Sequence, residues 1–475
     1  MNWLSSISAH ILLVALITTS PHTYLFCATE PVRIVEMGIG IDREELIDEM
    51  RAFIKSFDET ARFNFLLMDW RIVWHQDFLR FLAARGEIIP AFYYMQTLSP
   101  EERARCVDRN LETFKQVLGV YPNGTFQFQP DTFTVNYLAE KYGSRFVCGY
   151  CLDQYLIDYM TMRGGWQFPY YASTWNVQVP SKDPGVVVLP HITFDLAARY
   201  SMNHRWNTHP LNALEVTGGD TQRATAYITA LINEALRATH PFGYARIEFE
   251  FSWAHKLGAL PFIQDYYKGL RNRSDITFMT SNEVATWFRR NFATTPNYAI
   301  KFQSPSTGDT AEWSFNTKMR VMRNGSTILS LIDYTKQIPD KYLNLTAVVD
   351  FSKDWGLSNH IDTSLDYRID ALGGGVDNPT PAGTGVPYTQ APDLIKQFTG
   401  EGIPSASSVT QALILSLFTV LTVAILVARA SRSVFLDLQS RRPACYGGSF
   451  SAWRSTDSMN WVLDSVYASR SNLCS

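Results

Sequence analysis

Between Pro31 and about Ala293, short apolar runs alternate with longer stretches of helical period. The runs predict strands at Arg33–Ile41, Phe63–Asp69, Glu87–Tyr94, Gly124–Gln129, Arg145–Tyr150, Gly185–Pro190, Tyr244–Phe251 and Asp275–Met279. Helices are predicted at Arg43–Phe57, Pro100–Leu118, Thr132–Tyr142, Asp220–Ala238 and Asn282–Asn291. Ser99 and Glu102 have capping-box spacing before the second of these. Strand and helix taking turns predicts an α/β domain over residues 31–293 with a mostly parallel sheet, closed into a (β/α) barrel. The polar, Trp-bearing stretch Asp158–Lys182 is expected to be a long loop on the strand-end face.

After Ala293 the period changes to two. Tyr298–Phe302, Lys318–Arg323, Ser326–Asp333 and Leu345–Phe351 predict strands with no helix between them. They imply a small β-sandwich-like accessory domain over residues 297–371. Residues 372–408 are rich in Gly, Pro, Ser and Thr and predict a stalk.

Two segments break both periods. Ile7 to Thr19 is almost wholly apolar and is followed by small and polar residues through Ala28, so residues 1–28 resemble a signal peptide. Val409 to Ala428 holds 20 residues without a charge. That is enough to cross roughly 30 Å of hydrocarbon. Arg429, Arg432, Arg441 and Arg442 follow it and place residues 429–475 in the cytoplasm. Both segments predict the same topology: a single-pass membrane protein with its N-terminal domains outside. Asn123-Gly-Thr, Asn272-Arg-Ser, Asn324-Gly-Ser and Asn344-Leu-Thr are N-glycosylation triplets and agree with an external location.

Composition narrows the function. Apolar residues make up 46% of the 475 and charged residues 18%, as in a globular chain. The net charge is −3 with no basic stripe, which argues against a nucleic-acid partner. Aromatics reach 13%, a composition compatible with sugar-stacking clefts. Cys148-Gly-Tyr-Cys151 has redox-motif spacing, but it ends an apolar run and reads as a structural pair.

Carboxylates at strand ends are the candidate chemistry. One can donate a proton while the other attacks or activates water, as glycosidic cleavage requires. Asp131, Asp153 and Glu250 are the candidate catalytic residues. Asp131 is equally placed to cap the helix Thr132–Tyr142. Glu250 lies between Phe249 and Phe251, where a charge is costly without a role or partner, and Glu248 shares its strand face. Asp42, Asp69, Trp70, Trp166, His191, Trp253 and His255 are candidate substrate-binding residues. No spacing compels a metal site, and no cofactor is expected.

One stretch carries a family resemblance. Phe78-Leu-Arg-Phe-Leu-Ala-Ala-Arg-Gly-Glu-Ile-Ile-Pro-Ala-Phe, then Leu98-Ser-Pro-Glu-Glu-Arg, then Tyr121-Pro-Asn-Gly-Thr-Phe before the strand at Phe126, resembles part of the polysaccharide deacetylase superfamily. The resemblance spans roughly residues 32–191. It implies a deacetylase-like barrel, for which seven strands is one arrangement, acting on carbohydrate. In the family one Asp and two His hold a divalent metal. Here the two His positions fall near Ala91 and Met95, the first-strand aspartates reduce to Asp42, and the motif arginine is replaced around Gln129. The expected function is therefore a membrane-anchored extracytoplasmic carbohydrate-active hydrolase working through carboxylates. The alternative is a non-catalytic glycan-binding or surface-structural protein on the same scaffold.

Overall fold

The computed structural model describes residues 32–336, apart from 93, 94, 96, 97, 128, 129, 150–167, 202–205, 238–241 and 326, together with the short strand 386–387. The leader, the stalk apart from 386–387, the apolar segment 409–428 and the tail lie outside these residues. Among the described residues no helix is long and apolar enough to cross a membrane.

The first strand, β1 (Arg33–Ile41), is buried over nearly its whole length. Its two faces differ. Val35, Met37, Ile39 and Ile41 alternate with Glu36, Gly38 and Gly40. The apolar set faces the outer helices, and the other set faces inward. Around β1 run β2 (Phe63–Leu67), β3 (Gly86–Phe92), β4 (Gly124–Gln127), β5 (Phe146–Gly149), β6 (Tyr170–Tyr171), β7 (Val187–Pro190), β8 (Gly243–Ile247) and β9 (Thr277–Phe278). The order is β6-β7-β5-β4-β3-β2-β1-β8, with β9 also on β1. Every pairing is parallel except β6 with β7.

Helices occupy the crossovers: α1 (Ile47–Lys55), α2 (Gln76–Arg85), α3 (Pro100–Leu118), α4 (Thr132–Tyr142), α5 (Leu196–Ser201), α6 (Pro210–Val216), α7 (Thr221–Leu236), α8 (Phe251–Lys256), α9 (Leu260–Arg271) and α10 (Ser281–Asn291). The Ser99–Glu102 capping box forms at the start of α3, and Gly119 ends that helix at φ 80°. Only a residue without Cβ takes that conformation without strain.

The sheet curls into a half-barrel. Full closure by a ladder, the sequence expectation, is not what forms: no ladder joins β7 to β8 among the described residues. β7 ends at Pro190, which has no N–H to continue a ladder. The gap is bridged instead by the next segment. Thr193 N donates to Arg246 O at 3.1 Å, and Arg246 N donates to Thr193 Oγ1 at 2.9 Å.

The lower half of the lumen is a buried polar network. Glu36 Oε2 accepts from Arg246 Nη1 at 3.0 Å, Asn64 Nδ2 at 2.9 Å and Ser281 Oγ at 2.5 Å; Oε1 accepts from Tyr244 OH at 2.5 Å. The first turn of α10 plugs this end, with Ser281 N donating to Asn64 Oδ1 and Asn282 N to Glu87 Oε2.

The second sheet is an antiparallel meander of β10 (Tyr298–Gln303), β11 (Thr310–Phe315), β12 (Met319–Asn324) and β13 (Thr327–Asp333), extended by residues 386–387. Of the expected sandwich, the described residues form this one antiparallel sheet. Its alternating buried face packs on the barrel. Tyr298 and Trp313 meet Phe168 at 5.0 and 6.1 Å between ring centroids. Tyr298 OH donates to Pro169 O, and Ser304 Oγ to Asp195 at 2.8 Å. The sequence pattern missed β11. The predicted strand at Leu345–Phe351 lies outside the described residues. The described part of the expected 158–182 loop is not a surface loop either. Phe168, Tyr170, Tyr171, Val177 and Val179 are buried, and Phe168 and Tyr170 pack on Trp313 and Phe315 of the small sheet.

Candidate active site

Side chains from three consecutive strand-end segments meet at the C-terminal rim beside β1 and β8. Alternation along β8 and its extension puts Arg246, Glu248 and Glu250 on the lumen face, matched by Glu36, Gly38, Gly40 and Asp42 from β1. The glycines make this possible. A Cβ at Gly38 would stand 2.6 Å from Glu248 Cγ, and one at Gly40 would stand 3.1 Å from Glu250 Cα. The room they leave is filled by the two glutamates.

Glu250 is the half-exposed member. His209 Nε2 lies 2.8 Å from its Oε2. Burial works against the Glu250 charge, but the neighbouring His209 overcomes it and holds the carboxyl below its ordinary value. Glu250 is therefore an ionised acceptor at neutral pH, and Nε2 of His209 carries the hydrogen. Trp253, half-buried, packs its ring 5.2 Å from His209.

Asp42 behaves in the opposite sense. It accepts from Ser252 N at 2.9 Å and also from Ser252 Oγ. Desolvation outweighs both hydrogen bonds, the Glu250 charge adds to it, and the Asp42 carboxyl rises to about 7. Two carboxyl groups in one site are thus pushed apart, one held as an acid and the other as a carboxylate.

Behind them Glu248 and His191 touch through Oε2 and Nε2, both fully buried. Burial first, then the charges of Glu250 and Asp42, drive Glu248 well above its ordinary value. Burial, Arg246 and His209 drive His191 well below its own. Both shifts favour the uncharged form of each partner.

The sequence candidates divide accordingly. Glu250, Asp42, His191 and Trp253 come together. Asp131 is fully buried, where it caps α4 through Thr134 N at 2.9 Å and pairs with Arg103 at 3.1 Å. Asp69 caps the turn 70–74 and pairs with Arg71 at 2.7 Å. Trp70 donates from Nε1 to Ala91 O at 3.0 Å and packs on Phe92. His255 is exposed on α8 and stacks on Phe251. Asp153 and Trp166 lie outside the described residues, as does Cys151. His209 and Ser252 were missed by sequence reasoning. For His209 the available signal was a polar residue directly before Pro210 at a helix start. For Ser252 it was a hydroxyl two residues beyond Glu250.

The positions that the resemblance assigns to metal-binding histidines hold Ala91 and Met95, both buried and apolar. These residues do not fit a hard divalent ion.

The solved structures locate this architecture. A candidate glycoside hydrolase/deacetylase from Parabacteroides distasonis superposes with a TM-score of 0.56 at 17% identity, covering 69% of this chain and 91% of its own. The chain has the fold of the deacetylase-like barrels. A candidate polysaccharide deacetylase from Mycobacterium smegmatis is more distant, with a TM-score of 0.39 at 14% identity over 57% of this chain and 94% of its own. A family model described as a domain of unknown function with a solved structure, DUF3863, matches residues 122–323. That match spans β4 to β12, so it takes in Glu250, His209 and His191 but not Asp42. No curated protein matches the chain.

Proposed function

We propose that the protein is a carbohydrate-active hydrolase of the two-carboxylate kind, with Asp42 as the acid and Glu250 as the nucleophile or base. The observation that carries this reading is the opposed shift of these two carboxyls in one strand-end site. Asp42, protonated up to about 7, can give a proton to a departing oxygen. Glu250, ionised and oriented by His209, can attack the anomeric carbon or deprotonate water. Trp253 offers an apolar face for a sugar ring. Together these roles imply a bell-shaped kcat/KM. Its acid limb lies below the ordinary carboxylate range and belongs to Glu250, and its alkaline limb near 7 belongs to Asp42. The apolar span 409–428 and the leader support placing this activity outside the cell on a single-pass anchor.

The test is hydrolysis of a panel of polysaccharides, scoring new reducing ends and released acetate separately. Reducing ends that fall at least a hundredfold in both Glu250→Gln and Asp42→Asn, with the fold intact by circular dichroism, support the reading. Acetate release without reducing ends would sink it. Ala91 and Met95 favour one other reading, a glycan-binding protein on a scaffold without metal ligands. Glycan binding that survives both substitutions, with no hydrolysis, would select that one.

A further inference from the structure

The opposite end of the barrel carries a second feature. A cleft of about 370 Å³ opens where β3 and β4 begin, between α2, α3 and the first turn of α10. Its polar side includes Glu87 and Asn282, with Arg62, Thr280 and Glu283 beside them. Glu87 Oε2 accepts from Asn282 N at 2.7 Å, and burial pushes the Glu87 carboxyl up to about 8. Asn282 Oδ1 is buried with no hydrogen-bond partner among the described residues. Its apolar side includes Leu118 and Val120, and Val120 is 62% exposed, a large area for a lone valine. Asn123 stands exposed at the rim and heads the triplet Asn123-Gly124-Thr125. Tyr121, two residues earlier, lines the same cleft.

We propose that Asn123 carries an N-linked glycan and that its first sugars lie in this cleft, against Val120 and Tyr121. The proposal rests on the predicted export of the chain, not on the hydrolase reading. The cleft is half apolar and half hydrogen-bonding without a net ionic demand, because burial disfavours the Glu87 charge and the other charged lining residues, Arg62 and Glu283, are opposite in sign. That is the character of a neutral sugar's surface, which has an apolar ring face and a hydroxyl edge. A sugar hydroxyl would give Asn282 Oδ1 the donor it lacks. A tether at the rim raises the local concentration of the first sugar, so weak contacts suffice. In the covalent step Asn123 Nδ2 attacks C1 of a polyprenyl-diphosphate-linked oligosaccharide. The C1–N bond forms and the C1–O bond to diphosphate breaks. The lipid diphosphate leaves, and Nδ2 gives up one proton. Thr125 is fully buried within β4, so the transfer precedes folding. Asn324, at the exposed tip between β12 and β13, and Asn272, at the end of α9, also head triplets, but neither lines this cleft.

The experiment is to produce the full chain in a cell with an N-glycosylating secretory pathway and map occupied sites by peptide mass after enzymatic glycan removal. Asn123 is expected to be occupied. Asn123→Gln should lower Tm by about 3 °C. Val120→Ser should lower Tm in the glycosylated chain and have little effect in the Asn123→Gln background. An unmodified Asn123 alongside a modified Asn324 overturns the proposal while leaving export intact. A chain that never enters the pathway, with every triplet bare, overturns it together with export. Occupancy with a Val120→Ser effect equal in both backgrounds overturns the docking of the sugars.

Discussion

Replacing Asp131 by Asn separates a scaffold role from a catalytic one. Asp131 and Arg103 are both fully buried, with Nη1 and Oδ1 3.1 Å apart. At that distance, and with an effective dielectric constant of about 20, the attraction is about 5 kcal/mol. Removing one partner from such a buried pair costs about 3–5 kcal/mol, because the other charge is left in a poor medium. Arg103 keeps its bond to Leu98 O at 2.9 Å and its place over the Phe133 ring, so the lower figure is the better expectation. Asn is also a good N-cap, so the bond from Thr134 N survives. Asp131→Asn should thus cost about 3 kcal/mol. Asp131→Ala loses the cap as well and should cost about 1 kcal/mol more. For a domain of this size each kcal/mol moves Tm by about 2–4 °C, so the Asn variant should melt at least about 6 °C lower. Replacing the charged pair together, Arg103→Met with Asp131→Asn, should recover much of the loss, and a double-mutant cycle reads the coupling directly. The reasoning fails if Asp131→Asn melts within about 1 °C of the parent. It fails equally if that variant keeps its stability but loses hydrolysis.

Other outcomes follow from the same geometry. Gly38→Ala should destabilise by about 1–3 kcal/mol in thermal melts and lower any hydrolysis, since its Cβ would sit 2.6 Å from Glu248 Cγ; an unchanged Tm would mean the two strands are free to part. Burial raises Asp42 to about 7, Glu87 to about 8 and Asp195 to about 6. Each binds its proton more tightly folded than unfolded, so their contribution is full below about 4 and is lost as pH rises to 8. Urea midpoints should therefore fall across that window, and Glu87→Gln should flatten the upper part of the decline. A midpoint that rises from pH 5 to 8 would contradict the assignment. Arg246→Met strands the buried Glu36 carboxylate and should cost about 3–5 kcal/mol, which Glu36→Gln in the same chain should partly restore.

Some of this was open to inspection along the chain. The period of apolar residues marked β1, β4, β8, α3 and α4, because a buried parallel strand and an amphipathic helix write their environment into local spacing. The Ser99–Glu102 cap was legible for the same reason, since both partners sit within one turn. The deacetylase-like barrel followed from the resemblance over residues 32–191. Glu250 and Glu248 could be paired because alternation along one strand is a local rule.

The rest depends on distances between residues far apart in sequence. Asp42 and Ser252 are 210 positions apart, and His209 and Glu250 are 41 apart. No local period records either contact. Asp131 and Glu250 look alike as acidic residues that end strands. Tertiary packing alone gave Asp131 a buried arginine and Glu250 a half-open rim with a histidine. The small sheet was read as half of a sandwich because its alternation shows that one face is buried. Alternation cannot name the surface that buries it, and the aromatic side of the barrel fills that place. The sequence by itself therefore determined which elements form and which faces they hide. Only the folded chain decided which carboxyls share a site, and their opposite protonation follows from burial at Asp42 and from the His209 neighbour that offsets burial at Glu250.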